Sequence, residues 1–251
     1  HYKFGPTARL NCGAAKSRRS FMCGRFNLID SPQVQLLCAM LGVPVPINNF
    51  RADIAPGAPI AIVLEQIDAQ GLKVRQVSEA IWWLLLDPKS LAPNYKYASF
   101  NSRSDKLDSP RAAAYAPYRE SRCIIPASAF IEGLGDKKTY HKIELEESAI
   151  AFGGVYKRYL NRETGESVLG ASIITLPPLL PQWQHIHPKS LPLIFDMNNK
   201  ELIDRWLDPA FDRVEEFAEV LEPRVIAAMK VTPVDRPSRW NPIADSFLIV
   251  S

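Results

Sequence analysis

Residues 121–133 read SRCIIPASAFIEG, and this stretch decides what kind of fold the chain can make. Its first ten residues, SRCIIPASAF (121–130), read as a strand. Glu132 stands at the end of that apolar run, after Phe130 and Ile131, where burial would favour its protonated form and suit it to proton transfer near neutrality. A paired or solvent-facing glutamate is the plain alternative. Downstream, YHKIEL (140–145) and AIAFGGVY (149–156) also read as strands. VYKRYL and SVLGASIIT flank NRETGE as a hairpin with a longer turn. Upstream, APIAIVL (58–64) and LKVRQVSEAIWW (72–83) add two more strands.

Helices are few. Ser31 and Pro32 open one, VQLLCAMLG continues it, and Gly42 with Pro44 stops it. Cys38 lies in its apolar face as a core thiol. Asn198 and Glu201 have the spacing of a capping box ahead of LIDRWL, and residues 209–223 place Phe211, Val214, Phe217 and Leu221 on one helical face. The segment VTPVDRPSRWNPIAD is loop-like. With no repeat and no dividing linker, the expected architecture is a single compact α+β domain, rich in β structure, with a few peripheral helices.

The 251 residues, 47% of them hydrophobic, suffice for a large core, and no run approaches the roughly 18 apolar residues of a membrane helix. Cys12, Cys23, Cys38 and Cys123 are too sparse for a disulfide framework, which favours a reducing cytoplasm. The net charge of +3 is uneven: residues 1–21 hold five basic residues and no acid, so the remainder carries −2. Nucleic acid would therefore meet a local basic groove and not a uniformly basic surface.

The segment 1–21 is acid-free and lacks the apolar centre of a secretory signal. It is expected to be upstream sequence from an early start, a removable leader or a basic arm, with the domain proper spanning 22–251. FMCGRF (21–26) follows and looks like a beginning. With Met22 removed, Cys23 would carry a free α-amine beside its thiol. Such a pair condenses with an aldehyde to a Schiff base and then closes a thiazolidine ring, the second step gaining from intramolecularity. A buried strand cysteine is the alternative.

Further candidates are polar. Asn101 and Arg103, two apart on an extended strand, share a face, so one can orient an amine and the other hold a phosphate. His185 and His187 share parity ahead of Lys189, and histidine is the ready proton shuttle at neutral pH. No acidic or cysteine partner has ligand spacing beside them, so no metal is expected. Trp83, Tyr95, Tyr97, Arg111 and their basic neighbours could serve single-stranded nucleic acid.

The order of these motifs resembles one family closely, the SRAP (SOS-response-associated peptidase) proteins. The resemblance runs through MCGRF (22–26), IAPG (54–57), IWW (81–83), NSRSD (101–105), RCIIPASAFIEG (122–133), IHPKSLPLIF (186–195), WLDP (206–209) and VTPV (231–234). It implies a β-rich fold around a groove for single-stranded DNA, and covalent capture of abasic sites through a terminal cysteine. Carried over by motif, Cys23 supplies amine and thiol, Asn101 positions the amine, Glu132 assists ring opening and Schiff-base formation, and His187 acts as acid and base. Gly24, Arg25, Pro56, Trp83, Arg103, Arg111 and Lys189 would contact DNA. Neither cofactor, metal nor membrane is implied, and a cytoplasmic monomer, nucleoid-associated when on DNA, is expected. An N-terminal-cysteine peptidase and a non-catalytic single-strand binder are the alternatives. The common Asn-Ala-Arg, the glutamate two residues later and Phe-x-Glu-Trp give way here to Ser102, Asp105 and Gly133.

Overall fold

The computed structural model describes residues 24–179 and 181–250. Strands β1 (Arg25–Leu28), β2 (Arg51–Ile54), β3 (Pro59–Ile67), β4 (Lys73–Ile81) and β5 (Asn101–Arg103) come first, with helix α1 (Pro32–Leu41) after β1. Helix α2 (Tyr115–Glu120) precedes β6 (Arg122–Ala127), β7 (Ala129–Gly133), β8 (Tyr140–Leu145), β9 (Ile150–Leu160), β10 (Ser167–Leu176) and β11 (Leu191–Pro192). Helix α3 (Lys200–Leu207), β12 (Met229–Val234) and β13 (Phe247–Ile249) complete the order.

Five strands close on themselves in the order β10-β4-β3-β6-β9, with β9 pairing back to β10. The hairpins β3–β4 and β9–β10 carry most of this barrel's ladder, whereas the parallel seam of β4 with β10 rests on Gly170 opposite Ile81. Glycine is required there: a Cβ on Gly170 would lie 2.5 Å from the Trp83 carbonyl oxygen. A second, antiparallel sheet runs β13-β12-β8-β7-β1-β2.

The stretch that decides the fold joins the two sheets. It is two strands and not one: β6 belongs to the barrel, β7 to the second sheet, and Ser128 is the joint. Ser128 donates its N–H to Asn27 O at 2.8 Å, and its Oγ accepts the Ile29 N–H at 3.0 Å, so β1 fixes the corner. β6 is buried along its whole length and β7 over its first four residues, so apolar character runs on across the joint and hides it in the sequence.

An aromatic column fills the space between the sheets. Phe152 of the barrel meets Phe26 of β1 at 6.0 Å and Phe130 of β7 at 5.5 Å; Phe26 continues to Trp82 at 4.8 Å, and Trp82 to Phe100 at 5.7 Å. These edge-on contacts add to the burial of large rings. The Trp82 Nε1–H donates to Phe100 O at 2.9 Å, fixing the residue that enters β5.

The helices lie at the periphery. Ser31 caps α1 by accepting the Val34 N–H, and Gly42 ends it at φ 69°. In α3 the cap is Asn199, which accepts from Leu202 N, and not Asn198, one residue earlier. Residues Val214–Leu221 form a 3-10 helix, not the expected α-helix, and bury Val214, Phe217 and Val220 at its period of three. Between α2 and α3 lies the buried Arg122 guanidinium. It donates to Tyr118 O, Arg119 O, Trp206 O, Asp208 O and Phe211 O, each at 2.8 Å, taking up carbonyls that both helix ends leave open. Cys38 is buried in α1 as expected, and no helix among the described residues is long and apolar enough to cross a membrane.

Candidate active site

Two side chains form the chemical centre, and each is delivered by a different device. Glu132 comes from β7, on the same strand face as Phe130, so the column that packs Phe130 also fixes the carboxyl. His187 comes from the turn after β10, where its N–H donates to Trp183 O at 2.9 Å. Trp183 anchors that turn from within: it is buried, its Nε1–H donates to Ser190 O at 2.8 Å, and its ring sits 6.5 Å from Phe130.

Glu132 and His187 are each only 1% exposed. His187 Nδ1 lies 2.6 Å from Gly133 O and 3.6 Å from Glu132 Oε2. A carbonyl only accepts, so Nδ1 carries the proton and Nε2 presents a lone pair. Nε2 is buried and has no hydrogen-bond partner among the described residues. Burial, the largest influence, pushes the His187 pKa below its ordinary value; the bond to Gly133 O opposes this and the charge of Lys189 adds to it. With its pKa lowered, the imidazole is neutral at pH 7 and can take a proton.

The shared parity of His185 and His187 does not carry over to space. The chain there is a turn, in which His185 is exposed and His187 enclosed. Among the described residues no group of three His, Cys, Asp or Glu side chains could hold a metal ion.

Asn101 and Arg103 do share a face. Between them, Ser102 points inward and its Oγ meets Ser172 Oγ at 2.8 Å, pinning β5 to β10. Asn101 is half-buried and Arg103 exposed. The Arg103 guanidinium is already forked onto Asp105, with Nε at 2.9 Å and an Nη at 2.8 Å, which holds the Asp105 carboxyl below its usual range. Asp105 thus aims Arg103 much as a longer acid two residues on could. Arg111 and Lys189 are exposed, while Arg25 pairs with Asp53 of β2.

Trp83 is 6% exposed, donates Nε1–H to Asn94 O at 3.2 Å and packs against Phe100. Tyr95 stands edge-on to it at 5.0 Å and is 68% exposed. The Tyr95 hydroxyl also lies 3.4 Å from where a Cβ on Gly57 would be, so it stands over the Pro56–Gly57 turn, with Gly57 at φ 90° and Pro56 half-buried.

Cys23, on which the cysteine chemistry turns, lies outside the described residues. Gly24 is half-buried at the entrance to β1, and the next residue, Arg25, pairs with Ile131, the neighbour of Glu132. Gly24 and the start of β1 therefore lie beside the strand that carries Glu132.

Four further residues escaped the sequence. The Tyr140 ring covers Gly133, lying 3.1 Å from where a Cβ would be. His141 stands opposite Glu132 across β7 and β8. Thr175, opposite both Arg103 and Pro192, and Ser190 are buried with hydroxyls unpartnered among the described residues. The strict alternation of YHKIEL already marks His141 as inward, on the parity of Ile143 and Leu145. Nothing local marks the others.

The site is thus a buried Glu–His pair in a two-sheet fold, beside the start of the first strand. The family it falls in is shown by sequence: the profile described as "SOS response associated peptidase (SRAP)" matches residues 22–237, and the chain belongs to that family. No curated protein matches the sequence. Solved structures share the fold. A Bacteroides thetaiotaomicron protein matches with TM-score 0.63 at 20% identity, covering 84% of this chain and 92% of its own. A Bordetella bronchiseptica protein matches with TM-score 0.64 at 16% identity, covering 85% and 100%. A phage-related protein of the same organism matches with TM-score 0.56 at 17% identity, covering 84% and 94%.

Proposed function

We propose that the protein captures abasic sites in single-stranded DNA by a covalent bond to Cys23, and that the working chain begins at that residue. The observation that carries this is the dry Glu132–His187 pair, 3.6 Å apart, beside the strand that Cys23 leads into. The ring-opened abasic sugar presents an aldehyde at C1′. The α-amine adds to it, water leaves to give the Schiff base, and the thiolate then adds to the imine carbon, closing a thiazolidine as the nitrogen takes a proton. Glu132 gives and takes the protons of ring opening and dehydration, and the free Nε2 of His187 accepts one near the sugar. Asn101 positions the amine and Arg103 holds the neighbouring phosphate. An intact nucleotide has no free carbonyl, so binding is general while capture is lesion-specific. The exposed rings of Tyr95 and Tyr97 support stacking of bases beside the lesion.

The test is incubation of protein beginning at Cys23 with single-stranded DNA carrying one abasic site. A heat-stable adduct that is lost in Cys23→Ala supports capture. Peptide turnover without DNA dependence would favour the peptidase that the family's description names, and lesion-blind, Cys23-independent binding a simple binding module. An active species retaining Phe21 would overturn the requirement for a free amine.

A further inference from the structure

Glu132 has a second histidine beside it. In the antiparallel register of β7 and β8, His141 is the residue directly opposite Glu132. Facing residues on such a pair have Cβ atoms about 5 Å apart and side chains on one side of the sheet. His141 is 7% exposed, and its Nδ1 is buried without a hydrogen-bond partner among the described residues. The carboxyl of Glu132 is thus flanked by His187 from the turn after β10 and by His141 from its own sheet.

We infer that His141 is a positioning residue for the Glu132 carboxyl, coupling to its titration and offering a second resting place for the proton that Glu132 exchanges. This rests on the proposed capture reaction for its purpose, though not for its measurement. An imidazole in this place does what an apolar side chain cannot. As imidazolium it favours the carboxylate, and as neutral imidazole it allows the carboxyl to hold its proton, so the two groups titrate as a pair.

Two acidic groups face His141, Glu132 across the strand pair and Asp136 from the turn. Among the described residues, β7 presents Glu132, the β7–β8 turn presents Asp136, β12 presents the uncharged Pro233 and β13 presents the edge of Phe247, at 6.4 Å. On β8 itself, Tyr140 and Lys142 take the opposite parity, and Lys142 pairs with Glu144 at 2.8 Å. Burial lowers the His141 pKa and Asp136 raises it, the first being the larger. The imidazole is therefore neutral at pH 7 and charges on acidification.

The experiment follows the ¹³C signal of the Glu132 side-chain carboxyl with pH, assigned by its loss in Glu132→Gln, in the unsubstituted protein, His141→Gln and His141→Phe. The expected curve has inflections about one pH unit or more apart, and both variants lose the one that His141 contributes while keeping that of His187. Capture rates measured in parallel should lose the matching limb of their pH profile and fall about tenfold, less than the ~100-fold expected for a group that itself transfers the proton. Single-strand affinity should not change. Superimposable carboxyl curves in a folded His141→Gln protein would overturn the assignment. If the unsubstituted protein captures no DNA, the capture proposal fails while the carboxyl curves still judge His141.

Discussion

Glu132 and His187 show how burial and direction together place a carboxyl and an imidazole for the proposed proton transfers. Neither residue type is informative alone, but a carboxyl beside an imidazole whose Nδ1–H is committed to Gly133 O leaves one lone pair with work to do. The proposed roles separate by substitution. Glu132→Gln should slow crosslinking about 100-fold or more, within the ~10²–10⁴ range of acid–base catalysis, while leaving single-strand affinity within about twofold. Equal losses of rate and affinity would contradict its role. Arg103→Ala should weaken binding across sequences and reduce the salt slope of log K by about one, read from affinities between low and physiological salt. The two buried imidazoles also set a stability trend. His141 and His187 are both held below the ordinary value of 6.5, so as pH falls through that value the unfolded chain takes up protons that the folded protein refuses. Stability therefore declines from about pH 6.5 downward until the lowered folded-state values are reached. Urea midpoints measured from pH 7.5 to 5.5 should fall, and fall less in His187→Gln. The sequence made Glu132 and His187 legible through their motifs. It could not reveal that His185 faces out, because turn geometry replaces strand parity there.

At the scale of elements, local signals were read well wherever one residue type enforces one geometry. Ser31, Pro32 and Gly42 bracket α1 as expected, since an accepting hydroxyl, a fixed φ and a left-handed φ each act locally. Where several arrangements satisfy the same pattern, tertiary contacts decided. Residues 121–130 satisfy a single strand as well as two, and only the bonds of Ser128 to Asn27 and Ile29 divide them between sheets. Residues 214–221 wind more tightly than an α-helix, with Val214, Phe217 and Val220 falling in line at every third position. Arg122 is the largest element-level device that no periodicity reveals. Its charge is matched by five carbonyls and no carboxylate contact, so its removal strands several buried acceptors at once. At ~1–3 kcal/mol for each acceptor that cannot recruit water, Arg122→Ala should cost about 3 kcal/mol or more in urea unfolding. Arg122→Lys, which cannot fork to both helices, should recover only part of that. A loss below about 1 kcal/mol would show that the two helix ends find other partners.

The whole molecule is two sheets that share one core, and the position of the site follows from that. Phe26, Phe130 and Phe152 touch across the gap, and two of them sit close in sequence to a residue the proposed chemistry uses: Phe26 three after Cys23, Phe130 two before Glu132. Phe100, next to Asn101, is tied to the same column through Trp82. Packing and chemistry are therefore coupled, and a defect in the column should be felt both as instability and as misplacement of the pair. Phe152 is the ring that reaches both sheets, so Phe152→Ala should cost about 3–5 kcal/mol, the range for a buried ring removed to Ala. Because Ser128 and the column join the sheets into one cooperative unit, the variant should still unfold in a single transition, coincident by tryptophan fluorescence and far-ultraviolet circular dichroism. Its capture rate should fall below that of a surface variant measured at the same distance from its own melting temperature, since the variant loses ångström-scale placement of Glu132 in addition to stability. Phe152→Leu, which keeps most of the volume, should restore much of both. Separate transitions for the two probes would mean that the barrel and the second sheet unfold independently, and that the column joins their surfaces without joining their stability.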